Sequence, residues 1–372
     1  MVLRICILAN SARYVWNFRT NLMKALRAEG HAVIALSPDG PEVSLIKDSG
    51  FRHVCLPLVP NSTHPVKELR TVLALRRLLR DEAVDVVLTS TPKGNIYTAL
   101  ANYGTQRHQI ANVSGLGSSY LRKDWLSRIV DMLYSVSFGH IHHVLFENPT
   151  DHGEFLRRGW VDAECASVIP GLGVDLTHFA PQPWPVEHES GTVRFLMIAR
   201  LIGDKGVREY VAAAHQVRAI WPQARFELLG DSAADNPTSI KPEELDAWQA
   251  RGDIVHYEHT RDVRPHIKRA HCIVLPSYRE GMSRTLLEGG AMGRPLIASN
   301  VPGCREAIEV GVNGFLCEAR SVTSLAEAIT QFLILESDQQ KAMGEASRHK
   351  IAAEFSEQVV IQHYISLVAN LH

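Results

Sequence analysis

Short runs of apolar residues alternate along the chain with longer segments in which apolar residues recur every three or four positions. In the first half, the short runs predict strands at 3–9, 32–37, 84–89, 109–113 and 144–147. The periodic segments between them predict helices at 17–28, 69–80, 96–103 and 125–138. Strands that alternate with helices in this way indicate a doubly wound parallel sheet.

The same alternation begins again after residues 181–191, a proline-rich segment that is typical of a linker. It predicts strands at 193–199, 225–229, 254–257, 272–275 and 295–298, and helices at 208–221, 285–292 and 324–335. A chain of 372 residues is long for one hydrophobic core. We therefore expect an α/β protein with two Rossmann-like domains, 1–180 and 190–354, that face each other across a cleft. A C-terminal helix at about 355–372 is expected to pack back onto the first domain.

The composition is that of an ordinary globular protein, with 45% hydrophobic and 21% charged residues. No apolar run reaches the ~20 residues that span a bilayer, and the first apolar stretch is too short and strand-like for a signal peptide. The six cysteines are far apart and form no CxxC pair, which favours reduced thiols. These features predict a cytoplasmic protein.

Charge is divided unevenly between the two halves of the chain. Residues 1–130 contain 17 Lys and Arg against 9 Asp and Glu, whereas residues 131–372 contain 22 against 31. An excess of cations in the first half is compatible with nucleic acid, an anionic membrane surface or a phosphorylated acceptor. It is equally compatible with an ordinary solvated surface, so charge alone does not choose the partner.

Two carboxylates, Glu280 and Glu288, lie eight residues apart around the start of a predicted helix. Glu280 follows the predicted strand at 272–275, so the residues just after it lie at the positive N-terminus of that helix. This part of an α/β sheet binds phosphate through free N–H groups and the helix dipole. A carboxylate would repel phosphate, so we predict that Glu280 accepts hydrogen bonds from sugar hydroxyls and that Glu288 reaches a ribose.

Two cations, Arg200 and Lys205, lie on the predicted loop after the strand at 193–199. A diphosphate leaving group develops negative charge, which fixed cations and helix-end N–H groups neutralise. Together with Glu280 and Glu288, these cations predict a site for a nucleotide joined to a sugar. For the carboxylates, the structural alternative is a charge at a helix N-terminus and an ordinary surface pair, and for the cations it is a solvated loop.

These residues occur in motifs that resemble a known enzyme family. Arg200, Lys205, Glu280 and Glu288, together with GRP at 293–295 and VPGCRE at 301–306, are similar to the retaining glycosyltransferases of the GT-B fold, family 4. The resemblance covers nearly the whole chain. The first half resembles a bacterial branch that extends undecaprenyl-diphosphate-linked sugars, such as N-acetylgalactosaminyltransferases. The motifs are NFR at 17–19, TPKGN at 91–95, VSGLG at 113–117, ENP at 147–149 and IPGLGVD at 169–175.

The resemblance implies a role for each matching residue. Arg200 and Lys205 would hold the diphosphate of a UDP-sugar, and Glu280 the transferred sugar, so these three would be catalytic. Donor contacts are implied for eight further residues: Gly173, Val255, Gly281, Met282, Ser283, Arg284, Thr285 and Glu288. The strand end Val255-His256-Tyr257 would meet the uracil, and Gly173 would lie on the first-domain side of the cleft. Such enzymes need no metal or other cofactor.

The acceptor is expected on the basic first half, near the carboxyl ends of predicted strands. The expected acceptor-binding residues are Arg13, Asn17, Arg19 and Lys93. Cations mixed with large apolar residues suit an anionic membrane surface, and this mixture occurs at Arg122, Lys123, Trp125 and Leu126. We therefore expect a polyprenyl-diphosphate-linked saccharide as acceptor, no nucleic acid, and a peripheral position on the inner face of the plasma membrane. An N-acetylhexosamine such as GalNAc is the expected transferred sugar.

Two other functions stay open on the sequence. A UDP-sugar 2-epimerase of the same fold would convert a UDP-sugar without an acceptor. A non-catalytic, membrane-associated protein would bind the nucleotide without consuming it.

His140, His142 and His143 have no carboxylate or Cys at a metal-binding spacing, so no metal site is predicted. No Gly-x-Ser-x-Gly elbow and no strand-end GxGxxG is present, which argues against a hydrolase and against nicotinamide chemistry.

Overall fold

The computed structural model of the chain describes residues 1–58, 64–115, 125–185, 191–233 and 236–371. The chain divides into two compact units, one formed by Met1–Leu172 with Val360–His372 and the other by Gly173–Val359. Each unit contains a parallel β-sheet covered by helices. The expected α/β class with two Rossmann-like domains is therefore confirmed.

The first unit contains a seven-stranded sheet in the order β3-β2-β1-β4-β5-β6-β7. Its strands are β1 (Arg4–Leu8), β2 (Ala32–Ser37), β3 (Arg52–Cys55), β4 (Val86–Ser90), β5 (His108–Val113), β6 (His143–Phe146) and β7 (Ala166–Val168). The helices between them are α1 (Ala12–Ala28), α2 (Val43–Asp48), α3 (Pro65–Asp81), α4 (Pro92–Asn102), α5 (Trp125–Phe138) and α6 (Pro149–Arg157).

The second unit contains a six-stranded sheet in the order β10-β9-β8-β11-β12-β13. Its strands are β8 (Val193–Ile198), β9 (Ala224–Leu229), β10 (Val255–Tyr257), β11 (Cys272–Leu275), β12 (Leu296–Ser299) and β13 (Gly314–Cys317). Its helices are α7 (Val207–Ile220), α8 (Pro242–Ala250), α9 (Arg264–Arg269), α10 (Arg284–Ala291), α11 (Val322–Leu333) and α12 (Ser337–Glu354). The last helix, α13 (Glu357–Ala369), begins in this unit and continues in the first.

Successive side chains of β1 contribute alternately to two hydrophobic cores, one on each face of the first sheet. Ile5 and Ile7 belong to a core formed with α1, α2 and α13, whereas Cys6 and Leu8 belong to a core formed with α3 to α6. Successive side chains of a strand point to opposite faces, so a strand that is apolar at every position is covered on both sides. The second unit has a single core cluster that spans its sheet and helices.

Several elements differ from the expectation, including the 18-residue helix α12, which was not predicted. Helix α1 begins at Ala12 rather than at residue 17, because the Oγ of Ser11 accepts a hydrogen bond from the N–H of Tyr14 at 3.2 Å and caps the helix. Strand β3 was not expected, since this four-residue edge strand has no fully buried position. Helix α8, for which no helix was predicted, starts at Pro242, where proline suits the first helical position.

The first crossing between the units lies between Leu172 and Gly173, eight residues before the expected domain end at 180. Val174 explains this position, because its N–H donates to the carbonyl of Phe355 at 2.9 Å and its carbonyl accepts the N–H of Glu357 at 3.0 Å. These two bonds attach the segment to the second unit.

Candidate active site

Strands β8 and β11 are neighbours at the point where the strand order of the second sheet reverses. The chain continues from β8 to β9 on one side and from β11 to β12 on the other, so the loops after these two strands diverge. Open α/β sheets bind ligands outside the carboxyl ends of the strands at such a point. Lys205 follows β8 and Glu280 follows β11, so both candidate residues lie there.

Lys205 and Glu280 are in direct contact. The Nζ of Lys205 donates a hydrogen bond to Oε1 of Glu280, and the two side chains form an ion pair. The hydroxyl of Ser277 donates to the same oxygen at 2.7 Å. The two charged side chains are 20% and 13% exposed, respectively. Because so little water reaches them, this charge-assisted pair holds both groups in position before a ligand binds.

Two glycines permit the close approach of the loops that carry this pair. Gly206 follows Lys205 with φ +74°, and a Cβ there would overlap the carbonyl oxygen of Pro276. Gly303 has φ +79°, and a Cβ there would lie 2.6 Å from the carbonyl carbon of Glu280. Glycine adopts positive φ without strain and leaves room for a neighbouring backbone. The positions of Lys205 and Glu280 therefore depend on these two glycines.

The N-terminus of α10 lies just after Glu280. Ser283 caps the helix, because its Oγ accepts a hydrogen bond from the N–H of Leu286 at 3.3 Å. The side chains of Met282 and Ser283 are buried, so only their backbone is available to a ligand. Within the described part of the chain, the N–H groups of Met282 and Thr285 have no hydrogen-bond partner. Such N–H groups carry a positive partial charge and suit an anion.

Glu288 and Arg284 form an ion pair one helical turn apart on α10. Nη2 and Nε of Arg284 donate to Oε1 of Glu288 at 2.9 and 3.1 Å. Burial raises the pKa of Glu288 above its ordinary value, although the charge of Arg284 opposes this shift. Oε2 of Glu288 has no hydrogen-bond partner among the residues that the structure describes. It is therefore the atom that a ligand hydroxyl can reach.

The structure corrects the expected position of Gly173. Gly173 belongs to the second unit rather than to the first-domain side, and its carbonyl accepts a hydrogen bond from Nη1 of Arg284 at 3.3 Å. The segment expected to meet the uracil forms β10, which starts at Val255 and ends at Tyr257 opposite Leu229. Within this segment, Tyr257 lies at the carboxyl edge of the sheet.

Arg200 lies on the same loop as Lys205 but is not joined to the ion pair. Its side chain is exposed and forms no hydrogen bond or ion pair with any residue in the described ranges. Its carbonyl accepts the N–H of Ile202 at 2.8 Å, which shapes the loop. Arg200 is thus a cation at the carboxyl edge whose side chain can move to a ligand.

Two residues that lie close to Glu280 were not predicted as part of the site. Ser277, which bonds the Glu280 carboxylate, comes two positions after β11, and a polar residue at a strand's carboxyl end is a signal that could have identified it. Burial raises the pKa of the Cys304 thiol, and the nearby Glu280 carboxylate raises it further. Cys304 lies within the VPGCRE motif at 301–306, but its burial beside Glu280 depends on the fold.

The first sheet reverses its strand order between β1 and β4. Helix α1 follows β1 and carries Arg13, Asn17 and Arg19, and α4 follows β4 and carries Lys93. Arg13 and Asn17 are exposed, and the Nζ of Lys93 pairs with Oε1 of Glu68 at 3.2 Å. The residues expected to bind the acceptor therefore lie on the two helices that begin at this reversal.

Arg19 is an exception to the expected basic surface. It is only 3% exposed, and its Nη2 donates to the Oγ of Ser90 at 2.6 Å. Its Nη1 donates to the hydroxyl of Tyr364 at 3.4 Å, and the guanidinium lies 5.4 Å from the centre of that ring. The expectation that Arg19 lies on an exposed basic face is therefore wrong. The other expected membrane contacts, Arg122, Lys123 and the side chains of Trp125 and Leu126, lie outside the described part.

Thr91, the residue after β4, has an unusual backbone conformation. Its φ is +87°, although a β-branched residue rarely adopts positive φ. It also caps α4, because its Oγ1 accepts the N–H of Gly94 at 3.4 Å. Backbone strain of this kind concentrates at ligand sites, and Thr91 lies two residues before Lys93.

Within the described ranges, no group of three or more His, Cys, Asp and Glu side chains is arranged to hold a metal ion. None of the helices there combines the length and the apolar character that crossing a bilayer requires.

Two Rossmann-like domains, each a parallel sheet covered by helices, are the architecture of the GT-B class. Two family models match the chain: "Glycosyl transferase 4-like domain" over residues 15–171, and "Glycosyl transferases group 1" over residues 192–334. The chain is therefore a glycosyltransferase of family 4. Its first half is a glycosyl transferase 4-like domain and its second half is a group 1 domain.

Relatives match over nearly the full length. The chain is 26% identical to N,N'-diacetylbacillosaminyl-diphospho-undecaprenol alpha-1,3-N-acetylgalactosaminyltransferase of Campylobacter jejuni, over 98% of both chains. It is 24% identical to UDP-Gal:alpha-D-GlcNAc-diphosphoundecaprenol alpha-1,3-galactosyltransferase of Escherichia coli, over 85% of this chain and 83% of the relative. The structure of Anabaena Alr3699/HepE in complex with UDP-glucose has the same fold, with a TM-score of 0.79, 16% identity and 99% coverage of both chains.

Proposed function

We propose that this glycosyltransferase transfers a sugar, with retention of configuration, from a UDP-sugar to an undecaprenyl-diphosphate-linked saccharide during the assembly of a surface or protein-linked glycan. The observation that carries the proposal is the Lys205–Glu280 ion pair beside the free N–H groups at the start of α10. The names of the Campylobacter jejuni and Escherichia coli relatives support the lipid-linked acceptor, and the latter also supports a UDP donor.

The donor site follows from the chemistry of these groups. A diphosphate requires positive partners, which Lys205, Arg200 and the N–H groups of Met282 and Thr285 supply. Glu280 accepts hydrogen bonds from hydroxyls of the transferred sugar. The free Oε2 of Glu288 accepts from the ribose, while Arg284 holds the other oxygen. The uracil meets the carboxyl end of β10.

Transfer then needs no covalent intermediate. The acceptor hydroxyl oxygen forms a bond to C1 of the sugar as the bond from C1 to the UDP oxygen breaks. The hydroxyl proton passes to the departing phosphate oxygen on the same face, which retains the configuration. Lys205 and Arg200 stabilise the charge that develops on that phosphate, and this is the task that a metal ion performs in other transferases. The reaction on this account uses no metal and no cofactor.

The acceptor is assigned to the first unit. Arg13, Asn17 and Lys93 lie on the helices that begin where the first sheet reverses, and the strained Thr91 is next to them in sequence. Two cations suit the acceptor's own diphosphate. Because such an acceptor is membrane-bound, the enzyme works on the inner face of the plasma membrane. An N-acetylhexosamine such as GalNAc is the favoured sugar, as the name of the Campylobacter jejuni relative suggests.

A matrix of substrates tests the proposal. The enzyme is offered each of several UDP-sugars with each of several undecaprenyl-diphosphate saccharides, and products are scored by mass and by anomeric configuration. Transfer that requires both substrates, with the donor's anomeric configuration in the product, supports the proposal. Conversion of a UDP-sugar without any acceptor would indicate a 2-epimerase, and an inverted product would overturn the mechanism.

A further inference from the structure

Exposed apolar side chains in the first unit are concentrated on one group of helices. Eleven large apolar side chains are exposed in the described part of this unit, and seven of them belong to α3, α5 and the end of α4. These seven are Val66, Leu69, Leu73, Tyr103, Ile129, Met132 and Val136. Single exposed apolar residues are common on soluble proteins, but a contiguous group marks an interaction surface.

Helix α3 presents an apolar ridge along its outer side. Val66, Leu69 and Leu73 follow each other at intervals of three and four residues and are 52%, 61% and 52% exposed. Residues at these intervals share one face of a helix. The inner side of α3 packs into the core through Leu75 and Leu79. The helix is therefore apolar on two sides, and only one of them is covered.

Cations flank this ridge without neutralising partners. The side chains of Lys67, Arg70 and Arg77 are exposed and form no hydrogen bond or ion pair with any described residue. The two acids of α3 are already engaged. Glu68 accepts hydrogen bonds from Lys93 and Tyr97, and Asp81 pairs with Arg80. The exposed face of α3 thus combines apolar side chains with uncompensated positive charge.

A second ridge runs along α5 on the same side of the unit. Ile129, Met132 and Val136 are exposed at intervals of three and four residues. Helix α4 packs against both α3 and α5 and so joins the two ridges. Tyr103 connects their far ends, because its carbonyl accepts a hydrogen bond from Arg76 at 2.9 Å and its ring lies 5.6 Å from that of His140. We call these exposed faces of α3 and α5, with Tyr103, the α3–α5 face.

We propose that the α3–α5 face docks on an anionic lipid bilayer. Helices that insert apolar side chains between the headgroups while lysine and arginine contact anionic lipid bind membranes in this way. Charge complementarity selects this occupant, since the face carries cations and its acids are paired within the protein. The inference rests on the proposed lipid-linked acceptor. It adds the surface that would bring that acceptor near Lys93, which Glu68 of α3 contacts directly.

Vesicle binding by the full chain tests this docking. The partition coefficient is measured by sedimentation with vesicles of equal parts phosphatidylglycerol and phosphatidylcholine, and with phosphatidylcholine alone. Replacing Lys67, Arg70 and Arg77 by Ser should weaken binding to the anionic vesicles on the order of 100-fold, since each cation near such a surface contributes about fivefold. The matched control replaces three exposed lysines elsewhere by Ser: Lys24, Lys47 and Lys341.

The apolar part is tested separately. Leu69→Ser with Leu73→Ser should weaken binding by roughly tenfold or more, because burial of each leucine is favourable. The control is Ile220→Ser with Ile334→Ser, which removes apolar residues that are 75% and 64% exposed on the second unit. Equal losses in the test and control variants, or no binding of the wild type to anionic vesicles, would overturn the proposal. So would a wild-type dimer that the leucine variant dissociates, because the face would then be a subunit interface.

Activity in detergent separates this inference from the proposed function. With an acceptor of short lipid chain and no vesicles, both test variants should transfer sugar at the wild-type rate. If the protein binds anionic vesicles through this face but transfers no sugar, the docking proposal stands and the proposed function is wrong. If the protein transfers sugar but all variants bind vesicles equally well, the proposed function stands and the docking proposal is wrong.

Discussion

Lys205 and Glu280 lie 75 residues apart in the sequence and form an ion pair where the second sheet reverses its strand order. In this structure Lys205, the cation proposed to bind the diphosphate, is hydrogen-bonded to Glu280, the carboxylate proposed to bind the sugar. If Lys205 holds the diphosphate as proposed, a bound diphosphate would compete with Glu280 for the N–H groups of Lys205, and each N–H that it accepts would free a carboxylate lone pair for a sugar hydroxyl. Under the proposed function, the pair would therefore couple recognition of the two parts of the donor.

Lys205→Ala is expected to lower kcat on the order of 10²–10³, as removal of one preorganised charge-stabilising group does. The reason is that charge on the leaving phosphate would lose its fixed cation. Initial rates at saturating UDP-sugar measure the effect. Lys341→Ala, at an exposed lysine of the same unit, is the control and should keep the wild-type rate. A Lys205→Ala enzyme within a few-fold of wild type would remove Lys205 from the mechanism.

Gly206→Ala tests whether the loops depend on the close approach of Gly206 to Pro276. The new Cβ would overlap the Pro276 carbonyl oxygen in addition to requiring a positive φ. Gly311→Ala requires a similar φ of +78° but meets nothing within 4 Å, so it isolates the conformational cost of about 1 kcal/mol. We expect Gly206→Ala to lower the free energy of unfolding by at least twice as much, measured by urea denaturation. Equal losses in the two variants would contradict the close approach.

The sequence predicts those parts of the fold that local patterns determine. Strand β11 lies where it was expected, at 272–275, because four consecutive apolar residues are buried on both faces of the sheet. Lys205 and Glu280 could be identified for a related reason, since a charged residue just after such a strand lies at the ligand-binding edge. In both cases the evidence lies within ten residues of the feature.

Features that depend on distant partners could not be predicted. Arg19 has the composition of a surface residue, and its burial depends on Tyr364, which lies 345 residues away. Gly173 lies in the second unit because Val174 bonds to Phe355 and Glu357. Strand β3 escapes detection because an exposed edge strand has no buried run. Each of these features requires knowledge of what packs against the segment.

The correction to Arg19 has a measurable consequence. Arg19→Met should lower the free energy of unfolding by about 3 kcal/mol, because it removes a buried charge from Ser90 and Tyr364 and from the field of nearby Glu147. Arg13→Met, on the exposed side of the same helix, should change it by less than about 0.5 kcal/mol. Chemical denaturation gives both values. Vesicle binding of Arg19→Met should equal that of wild type. A loss of binding without a loss of stability would indicate that Arg19 is exposed and contacts the vesicle.

Glu288→Gln separates ligand binding from stability. Burial in the folded protein raises the pKa of Glu288 above the ordinary glutamate pKa of about 4.3. The ionised carboxylate is therefore less favourable in the folded state than in the unfolded state, and this lowers the free energy of unfolding as the pH rises. Glutamine resembles the neutral form, and the variant should therefore have a melting temperature equal to or above that of wild type at pH 7 to 8, with the difference vanishing near pH 4. UDP affinity, measured by calorimetry at pH 7.5, should fall at least tenfold because a ribose acceptor is lost. A lower melting temperature at pH 7.5 would contradict the sign of the pKa shift.

His143 gives the first unit a defined dependence on pH. Its Nε2 lies 2.9 Å from the Oγ of Ser167, which lies 3.1 Å from Nε2 of His363 on α13. Burial lowers the pKa of His143 to about 4, with the neighbouring histidines contributing, whereas an unfolded histidine titrates near 6.5. The unfolded state therefore binds the proton first, and stability that is complete above pH 6.5 is lost as the pH falls towards 4.

The expected loss is about 2 kcal/mol, after allowance for solvent screening at this half-buried site. His143→Gln retains a group that can bond Ser167 but cannot titrate, so the slope of unfolding free energy against pH should become shallower between pH 6.5 and 4. Urea denaturation at several pH values measures both slopes. An unchanged slope in the variant would assign the acid sensitivity to other groups, and the link from β6 through Ser167 to α13 would then carry no pH dependence.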